Sequence, residues 1–452
     1  MHVRFDDAIS YLVQVIVDTL SEDFLADGVV LRDVSGRLSF FSSRELEDKK
    51  IEAVADLLRK KLGNYAAKDR VLVCPSHFGA QRILSEKNYL AIRVENKKVR
   101  LVDRRIVGAD WLRRPVLASA PPPRFVFSSI KGGVGRSTAL TVVASSLANQ
   151  GLRVLAIDLD IEAPGLGPIL LDEETLPEFG LIDALVENGI SGLDSKFYAD
   201  LIGPSSISKG RGKIDVIPVL GRRSLKNPSE VLAKIARAYM EDINEDGTVS
   251  TILDQIGSIV EEFSDPKRYD AILVDARAGL HETTASAILG LGAEVFLFGL
   301  DEPQTFQGFN MLLSHMTRLS DEKVPAEWLS RFTIVQGKAP TESNDRQRFS
   351  DKCQRMLQDL GLIKSNSPVE VKSTNAGEEF NDYVWNDEAL DEEVLPFESA
   401  SYSEPLAILD DPKFKGFNPQ AHPDLLESGI YTASYSQLLE KVRTAIPAER
   451  FN

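Results

Sequence analysis

The sequence predicts an α/β chain in two parts: a doubly wound domain on a mainly parallel sheet, preceded by a smaller N-terminal α+β domain. Three observations point there. From Arg124 onward short apolar runs alternate with helix-length stretches, three prolines at 121–123 set that region apart, and residues 1–117 mix hairpin-like runs with amphipathic helices. The expected division is therefore 1–117, a proline-rich linker at 118–123, and 124–452.

Composition bounds the function. With 452 residues and 43% hydrophobic content the chain can bury a sizeable core. It shows no uncharged apolar run of membrane-spanning length, and its start, with Asp6 and Asp7 close behind Arg4, lacks the basic-then-apolar order of a signal peptide. Neither export nor a membrane span is expected. Cys74 and Cys353 stand far apart in no C-x-x-C pair, which predicts neither a disulfide framework nor a thiolate metal site and suits a reducing, cytoplasmic setting.

The net charge of −16 argues against general binding to nucleic acid, whose sequence-independent affinity comes from many Lys and Arg contacts to phosphate. The charge is unevenly placed. Residues 1–120 carry 21 Lys and Arg against 17 Asp and Glu, while the remainder carries 31 against 51.

In the N-terminal part, Ile9, Leu12, Val13, Ile16, Val17 and Leu20 line one face of a helix over Asp7 to Leu20. Two β-like runs flank a Ser35-Gly36 turn. A second amphipathic helix runs from about Glu45 to Leu62, with Gly63 as its stop, and Leu90 to Glu95 with Val99 to Val107 reads as a hairpin around Asn96-Lys97-Lys98. Three prolines after Ala118-Ser119-Ala120 predict a stiff extended linker.

Beyond the linker the apolar runs are Phe125 to Ile130, Val154 to Leu159, Ile214 to Val219, Ala271 to Val274, Val295 to Leu300 and Phe332 to Val335. Continuous runs of this kind suit strands buried on both faces. About Val369 to Asp411 the chain is rich in Asp, Glu and Ser and reads as an acidic surface loop or insertion. A final helix is expected from about Ser434 to Ala445.

The chemistry concentrates where the first of these strands runs into Lys131-Gly132-Gly133-Val134-Gly135-Arg136-Ser137-Thr138 and then into a helix-forming stretch. Glycines let successive backbone N–H groups wrap a phosphate chain above the positive end of a helix. Ser137 is the better placed hydroxyl for Mg²⁺, with Thr138 next to it. The alternative is a tight β–α turn with no ligand. Two further elements weigh against it: Asp158 and Asp160 at the end of Val154–Asp160, and Asp275 at the end of the apolar run Ala271 to Val274. Residues two apart on a strand share a face, so Asp158 and Asp160 could both point toward the sheet end where ligands bind.

The loop resembles that of the deviant Walker A ATPases, the ParA/MinD family, whose pattern is K-G-G-x-G-K-[ST]; one position departs, Arg136 standing where the family has lysine, as in an arginine-variant KGGVGR branch. The resemblance spans roughly Arg124 to Lys338. It implies ATP and Mg²⁺ as cofactors, with Gly132, Gly133, Val134, Gly135, Arg136, Ser137 and Thr138 around the phosphates and Gln336 near the base, where the family usually has Asn. It implies Ser137, Asp158 and Asp275 for the metal, Asp158 supporting either magnesium or loop geometry. Asp160 would orient the attacking water, and Lys131 would reach across a dimer to the partner's nucleotide. Arg136 departs from the pattern in one respect: a planar fork keeps the attraction for phosphate but not the placement of an ammonium. Arg277 reads as a phosphate sensor or an exposed surface arginine.

The function expected from this is a slow, MgATP-binding switch ATPase that dimerises with nucleotide and acts on a protein partner through its N-terminal domain. Two alternatives stand beside it: a non-hydrolysing nucleotide-binding scaffold or sensor, and a DNA-partition ATPase using Lys209, Arg211, Lys213, Arg222, Arg223 and Lys226. A MinD-like membrane helix is not expected, because the last helix carries only Lys441 and Arg443 beside Glu440 and its Leu438, Leu439 and Val442 suit a core. His77 and His281 have no visible catalytic partner and are expected to be structural.

Overall fold

The structure is a computed structural model that describes residues 3–207, 212–243, 249–319, 327–363 and 404–451. Two main sheets organise it. The smaller, in the N-terminal region, contains β1 (Val29–Arg32), β2 (Leu38–Phe41), β3 (Leu72–Val73), β4 (Leu90–Val94) and β5 (Lys97–Asp103) in the order β3-β2-β1-β5-β4. Helices Phe5–Thr19 and Asp48–Leu62 pack on it and bury Leu12, Ile16, Leu58 and Leu62 completely.

The turns of this sheet follow from local chemistry. The carboxylate of Asp33 accepts from the backbone N–H groups of Ser35 and Arg37, and Gly36 supplies the left-handed residue at φ 85°. The second hairpin corrects the sequence reading by one detail: its turn is Glu95-Asn96, both left-handed at φ 48° and 65°, and Lys97 and Lys98 already belong to β5. A two-residue turn with two positive φ values matches strand twist better than a three-residue connection.

The larger sheet has eight strands: β6 (Arg124–Ser129), β7 (Arg153–Asp158), β8 (Gly203–Pro204), β9 (Lys213–Ile217), then, after the separate two-stranded hairpin of β10 (Asp242–Ile243) and β11 (Val249–Ser250), β12 (Ala271–Ala278), β13 (Glu294–Gly299), β14 (Phe332–Ala339) and β15 (Leu406–Leu409). Their order is β15-β14-β13-β6-β12-β7-β9-β8, every neighbouring pair parallel except β8 with β9. Because β6 lies between β12 and β13, the chain winds outward from it in both directions, and the loops after β6, β7 and β12 gather at one edge. This is the doubly wound α/β architecture expected from the sequence.

Helices cover both faces. Helix Arg136–Asn149 is buried on nearly every side, between the sheet and the last helix, so its apolar residues show no single stripe. The last helix is longer than expected, Ser428–Ala445, with Leu438 and Val442 fully buried against Arg136–Asn149 and β15. Strand β15 falls inside the stretch read as an acidic loop. Four residues, Leu406-Ala407-Ile408-Leu409, extend the sheet at its edge, and the acidic composition upstream masked them. The rest of that stretch, through residue 403, lies outside the described residues.

The segment between the two sheets is bonded to the larger one. Val116 N donates to Leu289 O at 2.8 Å and Ser119 N to Gly292 O at 2.9 Å, while Arg331 Nη2 donates to Val116 O at 2.7 Å. Gly292 sits at φ 58°, and a Cβ there would lie 2.3 Å from Leu117 O, so the approach needs glycine. Asp110 is buried with its Oδ2 accepting from Leu253 N at 2.9 Å, and Trp111 O meets His315 Nε2 at 2.5 Å. One apolar cluster runs from Leu12 and Leu58 through Trp111 to Leu289 and Val126 and so joins the two sheets.

Candidate functional site: a phosphate-binding loop and its carboxylates

Strand β6 ends at Ser129, the chain turns through Ile130 to Gly135, and the helix begins at Arg136. Gly133 and Gly135 take φ values of 76° and 92°, which turn successive N–H groups inward. A Cβ built on Gly132, Gly133 or Gly135 meets nothing within 4 Å, so the space above the loop is open. The loop is held from beneath by Gly337 of β14, where a Cβ would lie 2.3 Å from Val134 O. Sequence reasoning did not single out Gly337 for this role.

Below the open cradle the polar side chains form one network. Ser137 Oγ donates to Asp275 Oδ2 at 2.5 Å. Arg136 is folded inward, 9% exposed, with Nε on Asp275 Oδ1 at 2.5 Å, Nη2 on Asp160 Oδ2 at 3.0 Å and Nη1 on Ser129 Oγ at 3.2 Å. Burial alone would lower the guanidinium's pKa. The carboxylates of Asp275 and Asp160 outweigh that and hold it above its ordinary value. Asp160 is itself raised by burial, with Arg136 pulling the other way.

Asp158 and Asp160 do not share a strand face. Strand β7 ends at Asp158, which is wholly buried and accepts from the N–H groups of Asp160, Gly165 and Leu166 at 3.0, 3.1 and 2.9 Å. It shapes the loop that carries Asp160. Burial first, and then the Asp275 charge, push the Asp158 carboxyl up to about 7 against the pull of its backbone donors.

Lys131, at the mouth of the loop, has Nζ 2.8 Å from Glu302 Oε2, in the turn after β13. Arg277 is not a free surface arginine: it pairs with Glu162, both side chains 28% exposed. Gln336, expected near the base, and its near neighbour Lys338 differ in exposure. Gln336 is 3% exposed within β14, whereas Lys338, at φ 47°, faces a cavity of about 530 Å³ beside the loop. Gly133, Gly135 and Thr138 line one side of that cavity and Asp411, Phe414, Phe417 and Tyr435 the other. Those four residues come from the end of the chain, and only the tertiary structure connects them with the loop.

These residues suit a nucleotide with Mg²⁺. The loop offers an open glycine cradle, and Ser137 and Asp275 present adjacent hard oxygen donors of the kind magnesium takes. Among the described residues no three His, Cys, Asp or Glu side chains are grouped to hold a metal ion. Phosphate and water would have to complete its coordination shell. Cys74 and Cys353 are both free and buried. Of the proposed basic patch, Lys209 and Arg211 lie outside the described residues, while Lys213 and Arg223 are paired with Asp215 and Glu178. His77 Nδ1 accepts from Cys74 N at 3.1 Å, a bond within its own turn.

A mainly parallel doubly wound sheet with a glycine loop between a central strand and a helix, and an aspartate, Asp275, on the neighbouring strand β12, is the arrangement of a P-loop fold. Residues 125–297 match the family described as CobQ/CobB/MinD/ParA nucleotide binding domain. The chain is 29% identical over 136 residues to the chloroplastic septum site-determining protein minD homolog of Arabidopsis thaliana, which covers 30% of this chain and 39% of that protein. Among solved structures it is similar to the MinD cell division protein of Aquifex aeolicus, at 15% identity and TM-score 0.40 over 71% of this chain and 97% of the other. It is also similar to a ParA family ATPase from Chlorobium tepidum TLS, at 18% identity and TM-score 0.36 over 52% and 80%. Among the described residues no helix is long and apolar enough to cross a membrane.

Proposed function

We propose that this protein is a MgATP-binding switch of the ParA/MinD type, a slow ATPase whose nucleotide state controls its association with a second copy and, through the N-terminal region, with a protein partner. The observation that carries this reading is the open loop Gly132–Gly135 above the Ser137–Asp275 pair, with Lys131 at its mouth. Backbone N–H groups of Gly132 to Thr138 would hold the phosphates, and the cavity lined by Phe414, Phe417 and Tyr435 would take the base. Ser137 would bind magnesium directly and Asp275 through water. Bound there, the ion supplies charge neutralisation between the terminal phosphates. Asp160 would orient water once it is released from Arg136, and Lys131 would act across the dimer. A cytoplasmic location is part of the same reading.

The docking of the N-terminal region through Asp110, Trp111 and Val116 supports a route from nucleotide to partner. Calorimetry of ATP and ADP with and without magnesium, combined with mass measurement, tests the reading. It expects ATP uptake and a magnesium- and ATP-dependent doubling of mass; a wild-type protein that takes up no purine nucleotide overturns it.

A second reading, a non-hydrolysing nucleotide sensor, is favoured by one observation: Arg136 engages both Asp160 and Asp275. Turnover measured beside dimer mass separates the two, since the sensor binds and dimerises without releasing phosphate.

A further inference from the structure

The segments that carry Asp160 and Asp275 are tied together twice. Arg136 bridges the two aspartates themselves. Two residues further along each segment, Glu162 and Arg277 form the second tie, an ion pair between Glu162 Oε1 and Arg277 Nη1. The same Glu162 oxygen accepts from Tyr239 Oη at 2.7 Å and lies 3.8 Å from His281 Nε2. Tyr239 stands at the end of helix Val231–Ala238, with its ring edge-on to His281 at 4.9 Å.

The backbone explains why this second tie matters. Strands β7 and β12 stay in register through Asp158 and Asp275, and Leu159 N donates to Asp275 O at 2.9 Å. Past Leu159 the chain turns away, with Ala163 N donating to Asp160 O at 3.2 Å. Asp160 therefore sits just beyond the end of the ladder, and its position relative to Asp275 is set by side chains. Glu162 is one of these, anchored on a strand whose next turn is fixed by Thr284 Oγ1 donating to Arg277 O at 3.1 Å.

We propose that Glu162 is a positioning residue of the nucleotide site: by holding Arg277 and Tyr239 it sets where Asp160 stands when Arg136 lets go of it. The inference rests on the nucleotide-switch reading above and names a residue that reading does not use. A merely structural role is a poor account of the contact, because a part-exposed ion pair adds little to global stability. Displacing a water-orienting group by about 1 Å costs on the order of 100-fold in rate, so the geometric consequence is the larger one.

The test compares wild type, Glu162→Gln, Arg277→Gln and the double variant. Without nucleotide, amide hydrogen exchange over 159–165 should quicken in each variant while the melting temperature stays close to wild type; unchanged exchange overturns the proposal. With MgATP, turnover should fall about 10- to 100-fold with ATP affinity within about twofold, and the double variant should lose no more than the worse single one. Equal losses of affinity and turnover, or additive losses in the double variant, overturn it too. If wild type binds ATP without turning it over, the readout is the ATP-dependent dimer mass, which the variants must lower; failure to lower it counts against Glu162 alone. Wild type that binds no nucleotide overturns the switch reading, and the role of Glu162 with it.

Discussion

Lys131 Nζ and Glu302 Oε2 lie 2.8 Å apart, each side chain 41% exposed, so the lysine that opens the phosphate loop is held by a carboxylate of its own chain. A lysine so held must leave Glu302 before it can reach a nucleotide on a second copy. The pair is part-exposed and worth about 0–1 kcal/mol, which solvent and salt reduce further. Glu302→Gln is therefore expected to tighten ATP-dependent dimerisation by up to about fivefold at low salt, and by less at high salt. Sedimentation of both proteins across ATP and salt concentrations checks this; a variant that dimerises more weakly would sink the idea.

Among the described residues Arg136 is the only cation bonded to the Asp160 and Asp275 pair, and its side chain is 9% exposed. Arg136→Ala leaves the buried Asp275 and the part-buried Asp160 without it, at a cost of about 3–5 kcal/mol, measurable by urea unfolding. Arg136→Lys keeps the charge but not the fork, since one ammonium cannot reproduce the geometry that spans both carboxylates. It is expected to cost only about 1–2 kcal/mol and to raise ATP turnover by roughly tenfold as Asp160 is released. Turnover at or below wild type in a folded lysine variant would contradict this.

Gly337→Ala tests the support beneath the loop. Its Cβ would press on Val134 O, 2.3 Å away, and must push the phosphate loop upward or bend β14. Overpacking of this kind costs about 1–3 kcal/mol. The expected signature is a loss of nucleotide affinity larger than the small fall in unfolding free energy implies. Unaltered affinity by calorimetry would show that the loop does not depend on this contact.

The docking of the two sheets carries a pH dependence. Asp110 is raised above the ordinary aspartate value by burial first, with the nearby Glu282 and Asp254 charges adding to it, and its Oδ1 has no hydrogen-bond partner among the described residues. Its carboxyl keeps a proton in the fold at pH values where the open chain has lost it. The resulting stability is fully present below the ordinary aspartate pKa and is lost as pH rises through the elevated value. Asp110→Asn keeps an acceptor for Leu253 N and removes the charge, so the melting temperature should fall less steeply than in wild type as pH rises above the ordinary aspartate range. Parallel profiles for the two proteins would exclude the assignment.

Much of the fold was legible because its signals are local. The six apolar runs beyond residue 124 are strands β6, β7, β9, β12, β13 and β14, and the glycine loop joins the first of them to its helix. The hairpin after Leu90 was legible in kind but not in turn length, since the left-handed Glu95 and Asn96 carry no glycine to mark them. Strand β15 was not legible: four apolar residues after a long acidic stretch have too little periodicity to stand out, and they become a strand because β14 offers them an unpaired edge.

The sequence by itself determined the alternation of strands and helices and the position of the glycine loop with Ser137, because each depends on spacing within a few residues, while Asp160 and Asp275 were assigned to it through the family resemblance. Only the tertiary structure decided that Arg136 turns inward to the aspartates, that Lys131 meets Glu302 across 171 residues, that Glu162 clasps Arg277, and that Phe414 and Tyr435 close a cavity beside Gly133. Charge pairing and cavity walls join residues distant in the chain, and a pattern that repeats every two or 3.6 residues holds no record of which distant segments the packed sheet brings together.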